Sequence, residues 1–310
     1  RRHFFQKAVH HWTAFCIFIL IMTRAGTVTV AGKPNAGKST LLNRLVGQKL
    51  SITSDKPQST RDRVIGIRTD GDSQMILADT PGLLDPNYLL QTAMQSAAVS
   101  ALADADCIVY VCDAREGTPV SLQEAAGLDK APRAVTITAL NKVDLLRREE
   151  RERLASTMPD AIFISALTGE GFPELITTIE SHLPESPFLF PVEDVSTHSV
   201  RFLAAELIRE TALEQLGAEV PYSIACEIEE FREDRSPIYI RAVIHVERES
   251  QKRILIGEKG RRIKLLGTAA RKKIETLVGS NVYLDLWVKV LQNWRKDAAA
   301  LRRFGYTTHD

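Results

Sequence analysis

Cysteine is scarce. The chain of 310 residues holds four, Cys16, Cys107, Cys112 and Cys226. None forms a C-x-x-C pair or lies beside a histidine cluster, which argues against both a disulfide framework and a thiolate zinc site. Cys107 and Cys112 belong to the apolar run CIVYVC and read as small core residues, in a reducing compartment. Excess charge of one sign is also missing. The 40 Lys and Arg stand against 39 Asp and Glu, a net charge of +1, so nucleic-acid binding would have to rest on local clustering. Apolar runs are short. Ala14 to Met22 (AFCIFILIM) falls far below the roughly 20 residues that a membrane-spanning helix needs. That stretch follows Arg1, Arg2 and Lys7, a layout that mimics a leader without a clear cleavage site. Its first reading is upstream sequence ahead of a true start at Met22. An organelle transit segment and a membrane-associating extension are the alternatives, and a mature endogenous chain starting near Arg1 would exclude the first.

What is present is strand–helix alternation. Strands are expected over Thr27–Ala31, Arg63–Thr69, Gln74–Ala78, Cys107–Cys112, Val135–Leu140 and Ala161–Ile164, with an Asp70-Gly71 hairpin turn. Helices are expected over Lys38–Val46, Tyr88–Ala103 and Glu174–His182, with a further helical stretch between the fourth and fifth strands. This order implies an α/β domain around a mostly parallel sheet. Three prolines in residues 184–191 (PESPFLFP) mark a linker. Beyond it the order changes: helices at Ser199–Leu216, Arg261–Leu277 and Trp294–Phe304, and strands at Ser223–Phe231, Ile238–Val246 and Val282–Val290.

Gly32-Lys33-Pro34-Asn35-Ala36-Gly37-Lys38-Ser39, followed by Thr40, is a phosphate-binding loop between a strand and a helix. Its glycines let backbone N–H groups turn to phosphate oxygens at a helix N-terminus. Lys38 supplies charge, and the Ser39 hydroxyl suits Mg²⁺. Asp79-Thr80-Pro81-Gly82 ends an apolar strand, with a carboxylate for Mg²⁺ and an N–H for a γ-phosphate. Asn141-Lys142-Val143-Asp144 resembles the base-recognition sequence of GTPases. There Asp144 would accept from guanine N1–H and the exocyclic amine, which adenine cannot match. Ser165-Ala166-Leu167 resembles the last base-binding loop of the same proteins. The polar segment 51–63 resembles their first switch, with Thr60 as the γ-phosphate and Mg²⁺ threonine and Ser59 or Thr53 as alternatives. The metal ligands are thus Ser39, Thr60 and Asp79, and the catalytic set is Lys38, Thr60, Gly82 and Asn35. Leu83 stands where Ras-like proteins carry a water-orienting glutamine, which implies slow intrinsic hydrolysis. Asn35 resembles a loop asparagine that helps some GTPases bind K⁺; bracing of the loop is its other reading.

Ile254 to Arg261 contains a G-x-x-G loop ahead of a helix, the clamp signature of KH domains. Residues 251–273 hold nine Lys or Arg against the single acid Glu258, a phosphate footprint. The RNA-binding set is Lys252, Ile256, Gly257, Glu258, Lys259, Gly260, Arg261, Arg262 and Lys264, with an apolar groove from Ile254, Ile256, Ile263 and Leu266. Trp287 and Trp294 read first as core residues, with base stacking as the alternative.

From about Thr23 to Tyr306 the chain resembles the Era family of bacterial GTPases. GKPNAGKST, ITSDKPQSTRDRVIGI, DTPG, NKVD, SAL, IGEKG and LDLWVKVLQNWR carry the resemblance. It implies a Ras-like P-loop GTPase domain with a mostly parallel six-stranded sheet, then an α+β type II KH domain. The expected division is 1–22 extension, 23–183 GTPase domain, 184–197 linker and 198–310 KH domain. The implied cofactors are GTP or GDP, Mg²⁺ and, through Asn35, K⁺. The implied partners are small-subunit rRNA near its 3′ end and the assembling 30S subunit. The resemblance also implies a cytoplasmic monomer that contacts the inner membrane peripherally and binds no DNA. An RNA-binding module with structural GTP and negligible turnover is the competing reading. A tRNA-modifying GTPase would carry a C-terminal cysteine, and this chain has none.

Overall fold

The computed structural model describes residues 23–217 and 220–307; the segment 1–22, with its three readings, lies outside them. A six-stranded sheet fills the first half in the order β2-β3-β1-β4-β5-β6. Its strands are β1 Arg24–Ala31, β2 Val64–Asp70, β3 Ser73–Asp79, β4 Cys107–Asp113, β5 Val135–Asn141 and β6 Ile162–Phe163. Only β2 runs antiparallel to its neighbour. β4 is buried at every position, as a parallel strand covered on both faces must be. The β2–β3 turn pairs Asp70 with Ser73, so it is built on Gly71-Asp72, one residue later than expected. Helices α1 Lys38–Val46, α2 Leu89–Ala103, α3 Leu122–Ala125, α4 Arg148–Thr157 and α5 Phe172–His182 complete this half. α4 (REERERLAST) gave no periodic signal because it buries only Leu154.

The second half is α6 Val200–Gln215, β7 Ala225–Arg232, β8 Ile238–Val246, α7 Glu249–Ile256, α8 Arg261–Val278 and β9 Val282–Val290. β8 is central, antiparallel to β7 and parallel to β9, the α-β-β-α-α-β arrangement of a type II KH domain. The apolar faces of α6 and α8 meet one side of the sheet through Ile208, Leu266, Ala270, Ile274, Ile240 and Ile244. The expected helix over Trp294–Phe304 is broken. A 3₁₀ turn at Trp294–Lys296 precedes a short α9, Ala298–Arg303. The cause is Asp297, whose carboxylate accepts from the Ala300 N–H at 2.7 Å and starts a new helix. No helix among the described residues is long and apolar enough to cross a membrane.

Residues 184–198 form a strap along the first sheet. The buried Gln74 side chain accepts from the N–H groups of Leu189 and Phe190 at 2.8 and 3.0 Å and donates to the Phe190 carbonyl at 2.9 Å. Ile67 N–H donates to the Val195 carbonyl and Ser196 Oγ to the Ile65 carbonyl, at 2.8 and 2.5 Å. The Ile65 N–H donates to Nε2 of His198 at 3.0 Å, which requires a neutral ring. Burial lowers the His198 pKa, against the nearby Asp62 charge. Because the folded pKa lies below the unfolded one, this stabilisation is present above about pH 6.5 and is lost as pH falls below it. His198→Ala should therefore cost about 1–2 kcal/mol at pH 7.5 and less at pH 5, by urea unfolding. An equal cost at both pH values would show that the ring does not act as a buried neutral acceptor.

Candidate functional site

The phosphate-binding loop, residues 52–60 and the turn after β3 enclose a cavity of about 390 Å³. Glycines fix the approach. A Cβ on Gly37 would meet Asn141 Nδ2 at 2.2 Å, and one on Gly82 would meet the Pro34 nitrogen at 2.7 Å. Gly37, with φ 99°, caps α1 and delivers Lys38 to the cavity. Lys38 Nζ donates to the carbonyls of Gly32 and Lys33 at 3.0 and 2.9 Å. Burial pulls its pKa down to about 8, with Asp79 offsetting part of the shift.

Three oxygen-bearing side chains converge beside it. Ser39 Oγ donates to Asp79 Oδ2 at 2.7 Å, Thr60 Oγ1 to the same oxygen at 3.2 Å, and the two hydroxyls are 3.0 Å apart. Asp79 is fully buried, and its Oδ1 has no hydrogen-bond partner. Burial raises its pKa, although Lys38 and the hydroxyls of Ser39, Ser51 and Thr60 pull the other way. A buried carboxylate with one orphan oxygen and two neighbouring hydroxyls fits a hard, oxygen-seeking cation such as Mg²⁺. Of the three expected switch hydroxyls, Thr60 is the one that reaches this cluster.

The base-recognition residues brace the loops. Asn141 Nδ2 donates to the Ala36 carbonyl and its Oδ1 accepts from the Ala166 N–H, both at 2.8 Å. Lys142 Nζ donates to the Asn35 carbonyl at 2.6 Å and to Asp113 Oδ2 at 2.7 Å. Asp113, at the end of β4, was missed from sequence. Burial alone would raise its pKa, but hydrogen bonds from Arg115 and Lys142 outweigh it and hold the carboxyl well below the usual range. Asp144 is exposed beyond Lys142. Ser165 is buried and Leu167 is 73% exposed. Asn35 Nδ2 donates to the Asp55 carbonyl at 2.8 Å, tying the loop to residues 51–63. Two members of the expected nucleotide set point elsewhere: Thr80 Oγ1 donates to the Val30 carbonyl at 3.0 Å, and Lys33 pairs with Glu116 at 3.3 Å.

Leu83 is not merely a missing glutamine. Its side chain is buried against Ala31, Ala98 and Leu102, while its N–H donates to the Gly32 carbonyl at 3.1 Å. Leu83→Gln should cost about 2 kcal/mol by placing an amide in that core and should leave the hydrolysis rate at saturating GTP within about threefold. A tenfold faster variant would show that the side chain can turn toward the cavity.

Residues 53–61 are stitched into the C-terminal half. The Thr53 N–H donates to Glu210 Oε1 at 3.1 Å. Lys56 Nζ reaches the carbonyls of Leu213 and Leu216 at the end of α6, where a cation meets the helix dipole. Arg209 donates to the Ser59 carbonyl at 2.5 Å. Arg61 donates to the carbonyls of Ile224 and Tyr222 at 2.6 and 3.0 Å. Thr60 is thus held on both sides by the second half of the chain.

In that half, Gly257, Lys259 and Gly260 all have positive φ, which opens the clamp loop. A groove of about 330 Å³ beside α8 is lined by Ile263, Lys264, Gly267, Arg271, Tyr283 and Leu286. Three expectations need correction. Of the four expected apolar residues only Ile263 lines the groove: Leu266 is fully buried in the core on the sheet-facing side of α8, and Ile254 and Ile256 lie on α7 outside the lining. Lys273 is drawn from the basic stripe by Glu210 and Glu214, at 2.8 and 2.7 Å. Trp287, on β9, is 54% exposed, whereas Trp294 is fully buried, because it lies beyond β9 in the 3₁₀ turn and packs among Leu90, Met94, Ala225 and Leu301, with Nε1 donating to the Ser223 carbonyl at 2.8 Å. Arg262 Nη1 donates to the Ile254 carbonyl at 2.9 Å, bracing the loop from behind.

The profile of the 50S ribosome-binding GTPase family matches residues 27–142, and that of the KH domain matches residues 219–295. GTPase Era of Ectopseudomonas mendocina is 44% identical over 295 residues, covering 92% of this chain and 98% of that protein. The chain belongs to the Era family. GTPase Era of Pseudomonas fluorescens is 45% identical over 297 residues, covering 92% of this chain and 97% of its own. An Era crystal structure holding MgGDPNP and nucleotides 1506–1542 of 16S ribosomal RNA superposes with a TM-score of 0.86 at 38% identity, over 92% of this chain and 99% of that one. A point variant of Aquifex aeolicus Era bound to GDP and AlF₄⁻ gives the same score and identity, over 92% of this chain and all of its own. As an Era-family member the chain is a GTP hydrolase with a GTPase domain and a KH domain.

Proposed function

We propose that this GTPase is a switch on small-subunit rRNA: it binds RNA near the 3′ end through the KH groove, reports its nucleotide state there, and assists 30S assembly. The observation that carries the reading is the placement of Thr60. Its hydroxyl belongs to the Ser39–Asp79 cluster, while Ser59 and Arg61 on either side are bonded into the KH half. A change at a γ-phosphate would therefore pull on α6 directly.

In hydrolysis the loop N–H groups would cradle the β and γ phosphates, and Lys38 would exchange its two carbonyl partners for phosphate oxygens. The Gly82 N–H would meet the γ-phosphate, and Asp144 would select guanine. Ser39, Thr60 and Asp79 would hold Mg²⁺, which supplies charge neutralisation on the phosphates. Water would attack the γ-phosphorus without a side-chain base at Leu83, so charge stabilisation and positioning have to lower the barrier. The reading includes K⁺ as a second cation near Asn35, supported by that residue's place in the cavity wall; equal turnover in K⁺ and Na⁺ would exclude it. A cytoplasmic monomer with peripheral membrane contact completes the reading and is supported by the family resemblance alone.

The test is fluorescence anisotropy of a short RNA copying the 3′ end of small-subunit rRNA, at fixed salt, against a scrambled RNA. Protein loaded with a non-hydrolysable GTP analogue should bind the true sequence selectively and more tightly than GDP-loaded protein. Equal, weak binding to both RNAs would sink the reading.

A further inference from the structure

We propose that the outer face of the KH sheet, centred on Tyr283 and Trp287, is a stacking platform for single-stranded RNA that runs on from the groove. This inference rests on the RNA-binding reading above. Trp287 and Tyr283 are 54% and 58% exposed, and their spacing of four residues along β9 puts both rings on one face, about 13 Å apart. Next to them on β8, Tyr239 pairs with Tyr283, and Trp287 pairs with Val243, which is itself fully buried, so the open surface runs along β9 and Tyr239. The Tyr239 and Tyr283 rings stack at 5.9 Å between centroids, 11° from parallel. The guanidinium groups of Arg235, Arg232 and Arg241 lie 4.6, 5.5 and 5.7 Å from the Tyr239 centroid. Flat rings with planar cations beside them are what unstacked bases pack on, with little regard to sequence.

Charge argues how the face works. Arg241 is paired with Glu230 and Asp285, at 3.0 and 3.2 Å, and Arg232 with Glu230 at 2.6 Å. The patch is nearly neutralised, so it would not gather phosphates unaided. It suits bases whose backbone is already held by the basic residues of the clamp loop. Continuity makes RNA the occupant: Tyr283 belongs both to this face and to the groove wall with Ile263 and Gly267. β9 pairs with β8 alone among the described residues, so it is an edge strand, with Tyr283 reaching both the groove and the face.

The experiment uses the full chain and two RNAs from the 3′ end of small-subunit rRNA: one long enough only for the groove, one extended by several nucleotides on either side. Trp287→Ala should weaken the extended RNA roughly tenfold and leave the short RNA within twofold. Trp287→Phe should retain most of the affinity. The extended RNA should quench tryptophan emission in the wild type but not in Trp287→Ala, and an unchanged Tm should show that the exposed residue was not holding the fold. Equal loss on both RNAs, or loss on neither, overturns the platform while leaving the groove intact. Failure of the short RNA to bind overturns the groove as well. If Trp287 stays open to iodide with RNA bound and is shielded only on assembling small subunits, the face docks a protein and the proposal is wrong.

Discussion

Asn141→Ala should weaken GTP and GDP binding by about a hundredfold and lower unfolding stability by about 3 kcal/mol, the first read by fluorescent-nucleotide titration and the second by urea unfolding. One amide joins the phosphate-binding loop to the Ser165–Leu167 loop through two hydrogen bonds of 2.8 Å, to the Ala36 carbonyl and from the Ala166 N–H. Asn141 is only 2% exposed. Its removal strands a buried acceptor and a buried donor, each costing about 1–3 kcal/mol. The affinity loss follows because both loops then have to be ordered by the nucleotide itself, and about 2.8 kcal/mol of ordering corresponds to a hundredfold. A variant with stability near wild type would mean that water replaces the amide. A tenfold loss or less would mean that the loops hold without the brace.

Arg61→Ala should cost about 3 kcal/mol and should split thermal unfolding into two transitions, one for each half of the chain. Arg61 is 4% exposed, donates to three carbonyls in the Pro221–Ile224 turn, and lies 5.8 Å from the Trp294 ring centroid. Burial lowers its pKa, with Tyr306 opposing the shift. Truncation leaves those carbonyls without donors in a buried interface. The Mg²⁺-dependent part of GTP affinity should fall about tenfold, because Thr60 loses a fixed neighbour. Calorimetry showing one cooperative transition, with wild-type GTP affinity, would refute the role of this arginine as a latch.

The contrast between these two residues shows what could be read from the chain. The loop 32–39, Asp79, Asn141 and the G-x-x-G turn were legible because phosphate, metal and backbone contacts require fixed residue types at short spacing. The β4 run was legible because a parallel strand buried on both faces is apolar almost throughout, and β5 because its β-branched residues favour a strand. Arg61 was not, since its partners lie 160 to 163 residues away and no local pattern distinguishes it from a solvated arginine in TRDR. Asp113 escaped for the same reason, its partner Lys142 being 29 residues off. Trp287 and Trp294 share one aromatic-rich stretch, yet only the pleat of β9 and the packing of Trp294 under α9 decide which ring meets water. The acidic and basic turns of α4 hid a helix because one buried leucine sets no period.

The strap over residues 184–198 has a consequence for synthesis. Every strand of the first sheet has been made once Phe163 is in place, yet the outer edge of β2 is sealed only when Val195, Ser196 and His198 arrive. A chain that has emerged as far as α5 therefore carries a nascent GTPase domain whose β2 edge is still raw, the kind of surface on which chains stick to one another. Sixteen further codons, Leu183 through His198, close it. At the ~5–20 residues per second of elongation, that vulnerable interval lasts on the order of a second.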